Sequence, residues 1–241
     1  MSRRRLTLIT ALGAALVVAG ALTGCATGAS SSPAPATADP DAATPAPTSD
    51  VGAAWVDAGR AVAVVTWGSS SCPPVADGDA SVSGATLTVA LAESARTDCT
   101  RDMAPRATLV PLPAGVDPTG RLTVSVSGVL EGETTLAGLS SAPVTGEEFA
   151  PSAGWVDDSL VAIVTYGSSS CPPVVDAVTA GGSDIAVQFA TPPTAQVCTM
   201  DFVPRVTLAD VGSVAGDGEV SLVLSGGAAN APAPIPVLGS R

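Results

Sequence analysis

Four cysteines divide the body of the chain into two matching halves. Cys72 pairs in pattern with Cys99, and Cys171 with Cys198, the second pair being the first displaced by 99 residues (171 − 72 and 198 − 99). The surroundings repeat with them. Val62-Ala63-Val64-Val65-Thr66-Trp67-Gly68-Ser69-Ser70-Ser71-Cys72-Pro73-Pro74 returns as Val161-Ala162-Ile163-Val164-Thr165-Tyr166-Gly167-Ser168-Ser169-Ser170-Cys171-Pro172-Pro173. Cys99-Thr100-Arg101-Asp102 returns as Cys198-Thr199-Met200-Asp201, and Trp55-Val56-Asp57 as Trp155-Val156-Asp157. The last of these lies at an offset of 100, a one-residue length change following it, and identity this dense at a nearly constant offset marks a duplication, so the chain must fold as two copies of one unit. Duplication also predicts one disulfide inside each copy, since cross-pairing would join separately folding units. Each bridge closes a loop of about 28 residues, worth roughly 3.5 kcal/mol by chain entropy.

Within each copy the apolar period is two. Leu87, Val89 and Leu91 alternate with Thr86, Thr88 and Ala90, and Leu122, Val124 and Val126 with Thr123, Ser125 and Ser127. Ile185, Val187 and Phe189 do the same in the second copy, as do Val220, Leu222 and Leu224. Alternation of this kind places one row of side chains on each face of a half-buried strand. Val62–Trp67 and Leu160–Tyr166 are instead apolar on both faces, which predicts central strands. Turn signals at Asp77-Gly78, Gly181-Gly182 and Asp217-Gly218 separate the runs. The expectation is an all-β chain of two tandem small β-sandwich domains, about six strands each, compatible with a Greek-key or immunoglobulin-like topology.

The amino terminus reads differently. Arg3, Arg4 and Arg5 precede an apolar run from Leu6 to Leu22, and small residues lead into Cys25. This is the order of a secretory signal, and the run is short for a spanning helix. Leu22-Thr23-Gly24-Cys25 resembles the bacterial lipoprotein signal, in which the cysteine receives a diacylglycerol and becomes the first residue after cleavage. From Ala26 to Gly52 the chain is rich in Ala, Ser, Thr and Pro, with Pro33, Pro35, Pro40, Pro45 and Pro47. Such a segment is a tether, reaching up to roughly 80 Å at about 3.1 Å per residue. The expected organisation is a signal peptide over 1–24, a lipidated cysteine and tether over 25–52, and β-domains over 53–146 and 147–241.

Composition excludes more than it assigns. The net charge is −12, every basic residue is arginine, and histidine and lysine are absent. An acidic surface without lysine is unsuited to nucleic acid, whose phosphates require basic side chains. Without histidine or lysine no Ser-His-Asp, Cys-His or Ser-Lys nucleophile can be assembled, and no Schiff base. The cysteine spacing fits neither a zinc cluster nor a Cys-x-x-Cys redox pair, and no Gly-rich phosphate loop occurs. Asp77-Gly78-Asp79, Asp157-Asp158 and Asp217-Gly218-Glu219 read as turns rather than calcium loops. The expectation is therefore no enzyme, no metal and no cofactor.

Two groups of repeated residues remain as candidate sites. Trp67 and Tyr166 precede serine loops containing Ser70 and Ser169, which suits a shallow sugar or peptide pocket with an aromatic platform. Equally, the serines can satisfy local backbone groups while the aromatic covers the disulfide. Asp102 and Asp201 precede Arg106 and Arg205 by four residues, about 13 Å in an extended strand. A direct ion pair then needs a turn at the proline. Alternatively each carboxylate accepts hydrogen bonds from the serine-loop amides and locks the two cysteine segments together. By its lipobox and its duplicated Ser-Ser-Ser-Cys-Pro-Pro with a later Cys-Thr-x-Asp-x-x-Pro, the chain resembles secreted lipoproteins of actinobacteria. That resemblance implies a membrane-anchored extracellular location and carries no activity with it. The expected function is a cell-surface binding or structural module facing a cell-wall glycan or an envelope protein. An accessory subunit docking a partner, and a hydrolase using aspartates alone, are the alternatives.

Overall fold

The computed structural model describes residues 50–143, 148–181, 184–227, 231 and 233–241. The leader, Cys25, the tether up to residue 49 and Gly182 lie outside the described residues, and Val51 and Gly52, expected as the end of the tether, instead begin the first strand. Ala46–Arg241 clusters as one compact unit. The fold is all-β, with a single 3₁₀ turn at Asp57–Gly59 among the described residues.

The first copy contains β1 (Val51–Val56), β2 (Ala61–Gly68), β3 (Val75–Ala76), β4 (Ser81–Ser83), β5 (Thr86–Ala92), β6 (Ala104–Pro111), β7 (Leu122–Gly128) and β8 (Gly132–Leu136). One sheet has the order β1-β2-β6, the other β3-β5-β7-β8, with β4 also on β5. The core between them joins Val62 and Val64 of β2 to Leu87, Val89, Leu91, Val124 and Val126. These are the alternating residues picked out above. Because β6 crosses to the opposite sheet between β5 and β7, those two strands run parallel, Leu87 opposite Val124. An immunoglobulin-like sandwich keeps its sheets antiparallel, so the topology here is a different one.

The second copy contains β9 (Ser152–Trp155), β10 (Leu160–Gly167), β11 (Val175–Gly181), β12 (Asp184–Phe189), β13 (Val203–Asp210), β14 (Ser221–Ser225) and β15 (Ile235–Leu238). Its core repeats the first, with Val161 and Ile163 against Ile185, Val187, Phe189, Leu222 and Leu224. Here β15 pairs with both β14 and β9 and joins the two sheets into one seven-stranded path.

The doubly apolar strands are explained by what covers their outer faces. Ala54, Val56, Ala61 and Ala63 of the first copy form a third buried cluster with Ala162 and Val164 of the second. The small side chains let the sheets approach closely. A methyl group built on Gly154 would lie 1.9 Å from the Trp55 carbonyl oxygen, and one on Gly52 would lie 2.8 Å from the Val156 side chain. The Asp57 amide donates to Ser152 Oγ at 2.7 Å across the same seam. Residue 52 thus faces 156 and 57 faces 152, so β1 and β9 cross the seam in opposite directions. The disulfide ends of the two copies therefore point opposite ways.

Gly154→Ala is expected to destabilise the whole body by about 2 kcal/mol, because the added carbon meets backbone that cannot swing aside. Gly216→Ala, with nothing within 4 Å of the new carbon, is the control. Thermal unfolding of both variants tests this, and an unchanged midpoint for Gly154→Ala would remove the close seam.

Candidate functional site

Each copy ends in a serine loop clamped to a second loop by a disulfide. Cys72–Cys99 and Cys171–Cys198 are both formed within their own copy. In the first copy the Ser70 amide donates to Asp102 Oδ1 at 3.0 Å, and the Thr100 hydroxyl donates to the same oxygen. Thr100 N donates to Ser71 Oγ at 2.9 Å, and that hydroxyl donates to the Asp98 carbonyl at 3.3 Å. The second copy repeats the arrangement with Ser169, Asp201, Thr199 and Ser170, the Ser169 amide lying 3.0 Å from Asp201 Oδ1. Of the two arrangements open to the aspartates, the geometry is the one in which they tie the cysteine segments together.

The arginines serve the loops from inside. Thr66 faces the core of its copy, and its cross-strand partner Arg106 sends its guanidinium under the serine loop. It donates to the carbonyls of Cys72 at 3.0 Å, Trp67 at 3.3 Å and Ser69 at 3.4 Å. Arg205, 8% exposed, donates to Cys171 at 2.9 Å, Tyr166 at 3.1 Å and Ser168 at 3.4 Å, and to the Thr165 hydroxyl at 3.3 Å. In both arginines Nε is buried without a partner. Burial pushes the Arg205 guanidinium pKa down, and the Asp201 charge raises it again. The glycine after each aromatic residue is required here, since a methyl on Gly68 or Gly167 would sit 2.8 Å from the guanidinium.

Strand alternation decides where Trp67 and Tyr166 go. With Thr66 and Thr165 pointing into the cores, the aromatic residues point with Ala63 and Ala162 toward the seam. Tyr166 packs against the seam cluster. Its ring stacks on Phe202 at 6.0 Å and meets Phe149 edge-on at 5.4 Å, and Phe149 meets Phe202 at 5.5 Å. The Trp67 ring would lie 3.7 Å from a methyl on Gly52. Tyr166 is taken up by this ring cluster, whereas Trp67 still lines a hollow with Ser69 and Cys72, and Ser70 stays with Asp102 and Ser169 with Asp201.

One hollow, of about 350 Å³, opens at the first serine loop beside the disulfide, with Trp67, Ser69, Glu93, Arg96 and Arg106 among its walls. The other, about 990 Å³, lies between residues 138–143 and the β9–β15 margin, where Asp158, Asp217 and Glu219 face it. There the Arg241 guanidinium sits 5.2 Å from the Trp155 ring and donates to the carbonyls of Asp158 at 2.7 Å and Gly216 at 3.0 Å.

Sequence reading weighed Arg106 and Arg205 only as ion-pair partners of the aspartates and gave Thr100 and Thr199 no role, although their recurrence at the common offset was the available signal. Phe149 and Phe202 were missed because the first copy has Ser49, at the offset of 100 that relates Trp55 to Trp155, and Met103 in their places. Compared with protein-family models, curated proteins and solved structures, the chain matches none.

Both aspartates are held below the ordinary carboxylate range. For Asp201 the value falls to about 2, because the Ser169 side chain, the Thr199 hydroxyl and the Ser169 amide all favour the ionised form. A carboxylate lowered by folding contributes stability that is complete above the unfolded pKa, near 4, and is lost as pH falls toward about 2. Asp201→Asn should therefore flatten the stability profile between those limits. Measuring melting temperature against pH for both proteins checks it, and parallel curves would contradict it. Arg205→Met is expected to cost about 3 kcal/mol by leaving three carbonyls and a hydroxyl without their donor, read from denaturant unfolding.

Proposed function

We propose that the chain is a lipid-anchored cell-surface protein whose β-units form a binding or structural module of the envelope. In this reading Cys25 carries the diacylglycerol and the residues from 26 up to the start of β1 at Val51 space the body from the bilayer. The observation that carries it is the build of the body. Two disulfide-clamped loops sit at opposite ends of copies joined through a buried seam, an arrangement suited to presenting surfaces. Intradomain disulfides fit an oxidising compartment outside the cytoplasm.

Asp102 and Asp201 are kept ionised by their donors, which weighs against the general-acid role that aspartate-only hydrolysis needs. Tyr166 is committed to a ring cluster, which lends a sugar platform at the second serine loop little support, while Trp67 keeps a place beside Ser69 in the hollow of the first. Exposed Val197, Met200 and Phe202 favour an apolar contact for the second copy. The acidic charge suits no nucleic-acid partner.

The anchor is tested on protein purified from membranes of a lipoprotein-processing bacterial host. Mass spectrometry of the amino-terminal peptide is expected to show it starting at Cys25 with an acylated thiol, and Cys25→Ser to abolish that species. A free amino-terminal Met1, or unmodified Cys25, would overturn the reading.

A further inference from the structure

The two copies share the scaffold of their disulfide loops and differ in what lines it. Leu91 and Phe189 hold matching places, each carbonyl lying against the glycine that ends the neighbouring strand, Gly128 or Gly226. Between Leu91 and Cys99 the first copy carries Glu93, Arg96 and Asp98, whereas the second has no charged residue between Phe189 and Cys198. Val129, which follows Gly128, is matched by Gly227. The arginine and aspartate hydrogen bonds beneath are the same in both copies, so the loop folds without these first-copy residues.

They converge on the hollow of about 350 Å³ at the first serine loop. Glu93 and Arg96 both line it, yet neither makes an ion pair with the other or with any described residue. Arg106 already donates to the Cys72, Trp67 and Ser69 carbonyls. Pro74, Val129 and Leu130 supply apolar wall, and Val129 is left 40% exposed. Both cysteines of the first disulfide are in the wall, and Ser94 Oγ accepts the Arg96 amide at 3.3 Å, which fixes the turn between the two charged residues.

We infer that this hollow binds a free amino acid with an aliphatic side chain, its carboxylate on Arg96, its ammonium on Glu93 and its side chain against Val129, Leu130 and Pro74. This gives the binding module proposed above its ligand and does not depend on the anchor. Charge decides between ligand classes. An anion would meet Arg96 but be repelled by Glu93, a simple cation would meet Glu93 but be repelled by Arg96, and a neutral sugar would pair with neither. A zwitterion satisfies both, and its carboxylate suits the fork of a guanidinium. The volume lies at the small end of the range for small-molecule sites, about 300–1,000 Å³, which rules out a long peptide. The end of a longer peptide would in any case bring only one of the two charges.

The test is equilibrium dialysis of the mature full-length chain, solubilised from host membranes, against radiolabelled L-leucine. Saturable binding is expected, with N-acetyl-leucine and leucinamide competing at least about tenfold more weakly than unlabelled leucine. Arg96→Gln and Glu93→Gln should each weaken binding by about tenfold or more, with melting temperature unchanged because both side chains are exposed. Arg101→Gln, at an arginine of the same loop outside the hollow, should bind like the parent. Absence of saturable leucine binding at millimolar concentration overturns the inference and leaves the anchor, read separately at Cys25, standing. N-acetyl-leucine or glucose competing as well as leucine, or leucine binding that survives both charge substitutions, also overturns it.

Discussion

Strands β2 and β10 carry apolar side chains on both faces, and leaving either face in water forgoes about 1.5–3 kcal/mol for each large side chain that would otherwise be buried. Each copy covers one face with its own second sheet. The other face of each strand is covered by the other copy, through Ala63, Ala162, Val164 and their neighbours. Everything else follows from this seam. It joins the two copies in one compact unit, turns the disulfide ends to opposite sides, and takes up the Tyr166 position.

Each loop is built around a buried guanidinium. Arg106 and Arg205 gather carbonyls that a sharp turn leaves unpaired, while an aspartate outside holds the next amide. The disulfide then links the two segments that these groups have aligned. With interior and backbone so determined, the outward residues of the second copy have little left to do in folding. That is why Arg101 can become Met200 and Asp98 become Val197 while the network beneath stays the same.

Much of this was legible in the residues. Alternation located the core of both copies, duplication predicted the disulfide pairing, and the doubly apolar runs marked strands β2 and β10 as central ones. The aspartate lock was one of two arrangements consistent with the spacing, and the observed hydrogen bonds select it. Less legible was the parallel β5–β7 pair, since periodicity specifies which residues face the core and says nothing of which strand lies beside which. Tyr166 joins a ring cluster with Phe149 and Phe202, whereas Trp67 keeps its neighbourhood with Ser69 around one hollow.

What the sequence determined by itself is the local chemistry: strand faces, loop crosslinks, an acidic histidine-free composition, and the repeat that makes one copy a reading of the other. Those are short-range properties, set by period, residue type and offset. Only the tertiary structure decided that the copies pack through their outer faces, that β15 joins two sheets in one copy, and that Phe149, Tyr166 and Phe202 meet. Such contacts depend on how separate surfaces fit, and a fit between distant segments leaves no periodic trace in either of them.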